Sequence, residues 1–250
     1  MAIDFGVDGP VAMIRINRPE KLNALSLAMY EDLGRAFNEV RDDDRIRVAV
    51  LAGAGDRAFC VGADLKESIP ALASNSFDIS AWDPAHIKTA GFYKPVVGAI
   101  RGLCIGGGFE LMLATDIRIV AEDAVFQLPE AAHGFVPAGG TLVRLVRQIG
   151  YAHAMEILLT GRRFTAAEML SRGVANQAVA SGEVERVARD IADRIASFSP
   201  TAIQTIKEAV LTLQHLPLSD AFQQEARLGQ RTFTSDDAKR GLDAFANKGK

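Results

Sequence analysis

The chain has 250 residues, of which 48% are hydrophobic and 24% are charged, and its formal net charge is −3. This composition is ordinary for a soluble globular protein that can bury a full hydrophobic core. The small negative charge gives no electrostatic reason to expect nucleic acid or an acidic membrane surface as the main partner.

The first segments of the chain predict a β-hairpin followed by a helix. Residues 2–7 and 11–17 read as strands around the turn Asp8-Gly9-Pro10. Ser26 is expected to cap a helix. Leu33, Phe37 and Val40 fall on one face of that helix, which ends at a run of three aspartates.

Two further units of strand, turn and helix are expected before residue 130. The apolar strand Ile46 to Leu51 stops at Gly53, and a helix is predicted over 83–93. Four more segments complete this part of the prediction: a buried strand over 96–100, a helix over about 107–114, and strands over 116–121 and 125–128. No tandem repeat is exact, but the recurring units suggest a wound spiral.

After residue 138 the pattern predicts almost only helices. Val184, Val187, Ile191 and Ile195 space as one apolar helical face, and Ser199-Pro200 is a typical helix start. Ser219 and Ser235 are expected to begin two more helices. We therefore predict an α/β protein with a core over 1–196 and a helical region over 197–250. The amphipathic tail must pack on the core or on another subunit, so we expect an oligomer.

Location is predicted from features that the chain lacks. No apolar run approaches the ~20 residues needed to cross a bilayer, and the opening residues do not resemble a signal or transit peptide. Cys60 and Cys104 are too few for a disulfide framework and have no zinc-ligand spacing, so we interpret them as buried apolar side chains in a reducing compartment. A cytoplasmic protein without a metal is expected.

The run Gly106-Gly107-Gly108-Phe109-Glu110 is the strongest chemical signal in the chain. Glycines at a helix N-terminus let a ligand approach unpaired N–H groups, and the helix dipole favours negative charge there. Glu110 lies one turn along the same helix, between apolar neighbours. A flexible loop with a solvated glutamate is the alternative, but a buried carboxylate without a task is costly.

Glu130 is a second candidate carboxylate, directly after Leu128-Pro129. Two carboxylates can divide acid and base work between them. By spacing alone, Glu130 could equally be a glutamate in the first turn of a helix, where the dipole favours it. A third glycine turn, over residues 59–66, could supply another N–H group for a developing oxyanion.

A dinucleotide site is a weaker interpretation. Residues 53–58 fit the loose form of the Rossmann fingerprint after a strand. That fingerprint requires a helix opening at the second glycine, and the residues that follow have no helical period.

Several dispersed motifs together resemble the crotonase, or enoyl-CoA hydratase/isomerase, superfamily over nearly the whole chain. They are Asn17 to Leu25, Phe59 to Lys66, Gly106 to Glu110, Leu128-Pro129-Glu130 with Gly134, Pro137 to Gly140, Leu159-Thr160-Gly161, Arg172-Gly173-Val174, and a tail from Phe233 to Phe245. The resemblance implies a spiral of ββα units with a C-terminal helical region that forms trimers or dimers of trimers.

The resemblance also implies acyl-CoA thioester substrates and roles for particular residues. The N–H groups of Ala63 and Gly107 would form the oxyanion hole, and Glu110 and Glu130 would be catalytic. The family's contacts with coenzyme A map to the residues Lys21, Leu22, Ala63, Asp64, Leu65, Lys66 and Gly107. Coenzyme A is part of the substrate, so no separate cofactor is expected.

The chain departs from the common family pattern in places that bear on specificity. His133 stands where relatives usually have an aliphatic residue, so it could tune Glu130, contact substrate or be structural. The stretch 67–92, with Phe77 and the single tryptophan Trp82, is where the family varies its acyl pocket. Arg240-Gly241 replaces the common Glu-Gly, and the ending Asn247-Lys248 leaves open which tail lysine meets the phosphates of coenzyme A.

Retention of both glutamates favours a 2-enoyl-CoA hydratase that uses water and no metal. Another crotonase reaction, dehydration of a specialised hydroxyacyl-CoA or double-bond isomerisation, is the near alternative. A non-catalytic or RNA-binding member of the fold is a further alternative, which the acidic charge balance disfavours.

Overall fold

The computed structural model describes residues 2–72, 74 and 77–247. Its ten strands form two sheets. The strands are β1 (Ile3–Asp8), β2 (Val11–Ile16), β3 (Val48–Gly53), β4 (Ala58–Cys60), β5 (Val96–Ile100), β6 (Leu103–Ile105), β7 (Ile117–Ala121), β8 (Val125–Gln127), β9 (Phe164–Thr165) and β10 (Gln177–Val179). One sheet has the order β1-β2-β3-β5-β7-β10, and the other has the order β4-β6-β8-β9.

Within the residues that the structure describes, ten α-helices surround these sheets and extend the chain beyond them. They are α1 (Leu27–Asp42), α2 (Ser68–Leu72), α3 (Gly107–Ala114), α4 (Thr141–Ile149), α5 (Tyr151–Thr160), α6 (Ala166–Ser171), α7 (Val184–Ala196), α8 (Pro200–Leu213), α9 (Leu218–Phe233) and α10 (Asp236–Asn247). Short 3-10 helices span Pro19–Lys21, Ile79–Trp82, Glu130–His133 and Ser181–Glu183.

The chain winds as a spiral because consecutive strands alternate between the sheets. In each of the pairs β3 and β4, β5 and β6, and β7 and β8, the first strand joins the larger sheet and the second joins the smaller one. Most pairings are parallel. Every residue of β3 and β5 is buried, as expected of a parallel sheet covered on both faces. The predicted α/β spiral is confirmed.

Several local predictions are confirmed by their hydrogen bonds and burial. The hairpin pairs β1 with β2 in antiparallel register. The side chain of Ser26 accepts a hydrogen bond from the N–H of Met29 at the start of α1, and Ser199 caps α8 with Pro200 as its first residue. Helix α7 buries Val184 of its predicted apolar face, whereas Val187, Ile191 and Ile195 are partly buried against the core. Three alanines of α7 are also buried. These features depend only on neighbouring residues, which is why the sequence indicates them.

The predicted helix over 83–93 is wrong. The 3-10 helix Ile79–Trp82 is followed by turns, and Ile87 and Gly91 have positive φ angles of 51° and 82°. A left-handed residue cannot continue a right-handed helix, so the chain reverses there. The reversal turns His86 inward, and that side chain is buried.

The prediction of an almost purely helical back half is also incomplete. β9 pairs antiparallel with β8, and β10 pairs parallel with β7 at the edge of the larger sheet. The sequence reading also missed β4 and β6. These strands have two or three residues, which is too short to show a period of two. Helix α7 ends at Ala196, and the division at residue 197 stays a prediction.

No helix in the described ranges is long and apolar enough to cross a membrane.

Candidate active site

A cavity of about 640 Å³ lies where three parallel strands of the smaller sheet end. Its walls include residues 61–67 after β4, residues 105–107 at the end of β6, and Pro129 and Glu130 after β8. Parallel strands bring the segments that follow them to one edge of a sheet. The three separate motifs of the sequence therefore meet in one place.

Two backbone N–H groups border this cavity without an acceptor among the described residues. Leu25 bonds to Gly62 and Asp64 on either side of Ala63, so the N–H of Ala63 is left free. Gly107 is the first residue of α3, and its N–H has no partner within the helix. A side chain at Gly107 would begin 3.6 Å from the Ala63 nitrogen. The segments of Ala63 and Gly107 therefore lie against each other, and both border the same cavity.

Glycines allow these two segments to approach each other. A Cβ at Gly108 would lie 2.1 Å from the carbonyl oxygen of Cys60, so any other residue would push α3 away from β4. Gly62 has a φ of 89°, and a Cβ there would lie 2.7 Å from the Gly107 nitrogen. A side chain at position 62 would therefore be strained and would also block the N–H of Gly107.

Glu110 points from α3 into the cavity, and most of its surface is buried. Its Oε1 accepts hydrogen bonds from the N–H of Gly139 at 2.6 Å and from the hydroxyl of Thr141 at 3.3 Å. Burial, together with the charge of Glu130, raises the pKa of Glu110 to about 7. The sequence interpretation of a buried, non-solvated carboxylate is confirmed by this burial.

Glu130 begins the 3-10 helix Glu130–His133 and lies on the same cavity. Its Oε1 is 2.9 Å from the point where a side chain at Gly106 would begin, and its Oε2 has no hydrogen-bond partner in the described chain. Burial raises the pKa of Glu130. Both carboxyls are therefore easier to protonate than a solvated glutamate, and they titrate as an interacting pair.

Most of the residues predicted to contact coenzyme A line the cavity, but one of them lies outside it. Lys21, Leu65 and Lys66 line the cavity with exposed side chains, and Leu65 is 74% exposed. Asp64 also lines it, but its carboxylate is engaged by Arg18 at 2.8 Å and by the N–H of Lys66 at 2.9 Å. Leu22 lies outside this cavity and borders a small separate depression.

Aromatic side chains form one wall of the cavity. Trp82 stacks on Tyr30 with ring centroids 3.8 Å apart, and Phe77 packs edge-on against Trp82 at 5.2 Å. His133 also lines the cavity, exposed and stacked on Phe135. Trp82 and His133 both line the cavity, and their role in an acyl pocket stays a prediction. Residues 73, 75 and 76 of the variable stretch and Lys248 of the tail lie outside the described residues.

The sequence reading missed three side chains that shape this site. Tyr30 and His86 both line the cavity, and Thr141 donates to Glu110. No motif singles out Tyr30 in α1, and His86 falls within the wrongly predicted helix. Gly139, whose N–H donates to Glu110, does belong to a motif that the sequence shows, at residues 137–140.

The structure also bears on the possibility of a metal site and of a dinucleotide site. Within the described part of the chain, no three His, Cys, Asp or Glu side chains are grouped so that they could hold a metal ion. Residues 54–57 form a bend that leads into β4 rather than a helix. The helix that a dinucleotide fingerprint requires is therefore absent at this position, and that alternative is wrong.

Comparison of the chain with known proteins identifies its family. Residues 7–250 match the family model described as enoyl-CoA hydratase/isomerase. The chain belongs to the enoyl-CoA hydratase/isomerase family, as the sequence resemblance indicated.

Individual relatives cover almost the whole chain. It is 38% identical over 244 residues to the enoyl-CoA hydratase EchA19 of Mycobacterium tuberculosis, covering 96% of this chain and 91% of that protein. It is 39% identical over 246 residues to a carnitinyl-CoA dehydratase of Proteus mirabilis, covering 96% and 93%. Among solved structures, an enoyl-CoA hydratase from Bacillus anthracis superposes with a TM-score of 0.90 at 34% identity, over 99% of this chain and 97% of that chain.

Proposed function

We propose that the protein is an enoyl-CoA hydratase that adds water reversibly across the 2,3 double bond of a 2-enoyl-CoA thioester. The observation that carries this proposal is the pair Glu110 and Glu130, which are buried in one cavity beside the free N–H groups of Ala63 and Gly107. The similarity to EchA19, named an enoyl-CoA hydratase, supports it.

The two N–H groups would bind the thioester oxygen. As water attacks the β carbon, the α carbon becomes enolate-like and negative charge develops on that oxygen. A preorganised donor aimed at such a charge contributes roughly 3–4 kcal/mol to the transition state. Because Gly107 is the first residue of α3, the positive end of the helix dipole adds to this stabilisation.

The carboxyl pair would move the protons. Glu110 takes a proton from water while the water oxygen bonds to the β carbon, and Glu130 gives a proton to the α carbon as the π bond breaks. The pair thus begins and ends with one proton. Burial raises both pKa values, so the free pair holds a shared proton whose place is a property of the pair. The reactive arrangement has it on Glu130, with the same total protonation.

The mouth of the cavity suits the remainder of an acyl-CoA. Lys21 and Lys66 offer positive charge for phosphates, and the exposed Leu65 offers apolar contact for the pantetheine arm or adenine. The wall of Trp82 and Tyr30, with Phe77 packed against Trp82, would hold the acyl group. Leu22 remains a predicted contact from the family resemblance alone.

A second candidate is the dehydration of a specialised hydroxyacyl-CoA. It is favoured by the 39% identity to a carnitinyl-CoA dehydratase and by polar groups in the acyl wall, where His86 and Lys88 line the cavity. The same carboxyl pair would run this reaction in the reverse direction, so the acyl group distinguishes the two candidates.

The test is a spectrophotometric screen of 2-enoyl-CoAs of different length, branching and polarity. We expect loss of the conjugated absorbance with at least one of them. Glu110→Gln and Glu130→Gln should each lower turnover by at least ~10²-fold, because each removes one proton-transfer group. Glu122→Gln, at an exposed position, is the matched control and should retain full activity.

Unchanged turnover in either active-site variant would overturn the assignment of the pair. Activity confined to polar hydroxyacyl-CoAs, measured as dehydration, would favour the second candidate.

We also propose that the chain forms trimers or dimers of trimers and that it works in the cytoplasm. The support for an oligomer is the exposed apolar surface of α8 to α10, where Phe222 is 60% and Phe233 is 79% exposed. The support for the location is the sequence pattern alone.

A further inference from the structure

His86 is a buried histidine with one free nitrogen that faces the active site. Only 2% of the residue is exposed, and its side chain lines the cavity. Its Nδ1 lies 3.0 Å from the carbonyl oxygen of Trp82, while its Nε2 has no hydrogen-bond partner among the described residues. Such a buried, unpaired nitrogen costs stability and calls for a functional explanation.

The protonation state of His86 follows from these contacts. A carbonyl oxygen can only accept, so the ring proton is on Nδ1. Burial lowers the pKa of His86 to about 4, with the charges of Arg144 and Lys88 acting in the same direction. At neutral pH the ring is therefore uncharged, and Nε2 carries a bare lone pair. It can accept a hydrogen bond but cannot donate one.

Oε2 of Glu110 lies against the same glycine as that lone pair, and no described residue donates a hydrogen bond to it. The point where a side chain at Gly139 would begin lies 2.5 Å from Nε2 of His86 and 2.7 Å from Oε2 of Glu110. Oε1 of Glu110 is already occupied by donors from Gly139 and Thr141. A proton on this carboxyl therefore belongs on Oε2, and a hydroxyl donor there is the kind of partner that Nε2 lacks.

We propose that His86 is a positioning residue for Glu110. Nε2 of His86 accepts the hydrogen bond that the carboxyl proton on Oε2 of Glu110 donates. The bond stabilises protonated Glu110, the state that hydration produces and that dehydration begins from. This catalytic consequence rests on the role proposed for Glu110, whereas the hydrogen bond itself rests only on the geometry.

Other titratable and charged groups surround His86 and Glu110, and a test must leave them unchanged. They are Glu130 from the 3-10 helix, Arg144 from α4, Lys88 and Asp83 from the loop that carries His86, and the phenol of Tyr30 from α1. None of them is changed by a substitution at position 86. An effect on Glu110 can therefore be assigned to the ring of His86.

The experiment is an infrared titration of the protonated carboxyl C=O band, which Glu110→Gln identifies by its loss. In His86→Met the acceptor is gone but the position stays apolar and filled. The pKa of Glu110 should then fall by roughly 0.5 to 1, and the C=O band should move to higher frequency, because a hydrogen bond to the neutral form is lost. His86→Gln, which keeps an acceptor, should restore both values.

A different result is expected if His86 has no hydrogen bond to Glu110. If His86 only fills space, the pKa of Glu110 in His86→Met stays unchanged or rises, because burial alone favours the neutral carboxyl. His153→Met, at an exposed position, should leave the band where it is. Full activity in Glu110→Gln would reject the catalytic role of Glu110. Loss of activity in Glu110→Gln, together with an unmoved C=O band in His86→Met, would reject only the inference about His86.

Discussion

Glu110 and Glu130 show how the surroundings of a residue decide its chemistry. Both are glutamates in the first turn of a helix, a position that usually reads as a solvated residue near a dipole. Burial in the same cavity raises both pKa values. The charge of each disfavours ionisation of the other, so the pair retains a proton at a pH where solvated glutamates have lost theirs.

The pH dependence of hydration follows from this sharing. The raised pKa of Glu110, about 7, means that the pair loses its last proton as pH rises through that value. At low pH both carboxyls are protonated, so no base remains. We expect a bell-shaped profile of kcat/KM whose alkaline limb lies near pH 7. A profile that stays flat between pH 6 and 9 would contradict a shared catalytic proton.

At the scale of elements, α3 is the part on which the site depends most. It supplies Gly107 to the proposed oxyanion hole and Glu110 to the carboxyl pair. Its C-terminal end is fixed by Arg118, which is almost fully buried. That guanidinium donates to carbonyl oxygens of Met112, Leu113 and Thr115, at 3.0, 3.1 and 2.9 Å. These contacts satisfy carbonyls that a helix end leaves unpaired.

Arg118→Met tests this anchor. The substitution keeps an apolar stem but leaves several buried carbonyl oxygens without a donor, so we expect the free energy of unfolding to fall by about 3–4 kcal/mol. Urea denaturation measures the loss. Arg186→Met on the exposed side of α7 is the control and should change stability by less than about 0.5 kcal/mol. Equal midpoints for the two variants would show that the anchor contributes nothing.

At the scale of the whole molecule, the two ends of the chain differ in how they are buried. The front buries its apolar residues between the sheets and α1, α3 and α7. Helices α8 to α10 instead expose several large apolar side chains, which are Ile206, Val210, Leu218, Phe222, Phe233, Leu242 and Phe245. A soluble monomer rarely leaves so much apolar surface in contact with water. This surface therefore supports the proposed assembly.

The assembly is tested by sedimentation velocity. We expect the wild-type chain to sediment as a trimer or a hexamer. Val210→Asp combined with Phe222→Asp should shift it toward smaller species, because a charge buried in an apolar interface is costly. Val7→Asp, on the exposed part of β1, is the control and should not change the distribution. A wild-type monomer at micromolar concentration would refute the proposal.

Features that depend on near neighbours or on complete motifs could be predicted from the amino-acid sequence. The hairpin, the capped helices and the buried strands follow from local periodicity and capping chemistry. The glycines beside Glu110 indicated a helix N-terminus open to a ligand. The dispersed motifs identified the family and pointed to Glu110, Glu130, Ala63 and Gly107 as candidates.

Only the tertiary structure decided which side chains meet. The inward turn of His86 depends on a left-handed residue at Ile87, a conformation that an isoleucine adopts only when its surroundings impose it. The short strands β4, β6, β9 and β10 are held by pairing with strands that are distant in the sequence. The shared cavity, and the raised pKa values within it, arise from contacts between residues far apart in the chain. Local pattern does not encode such contacts, because burial is a property of the whole fold.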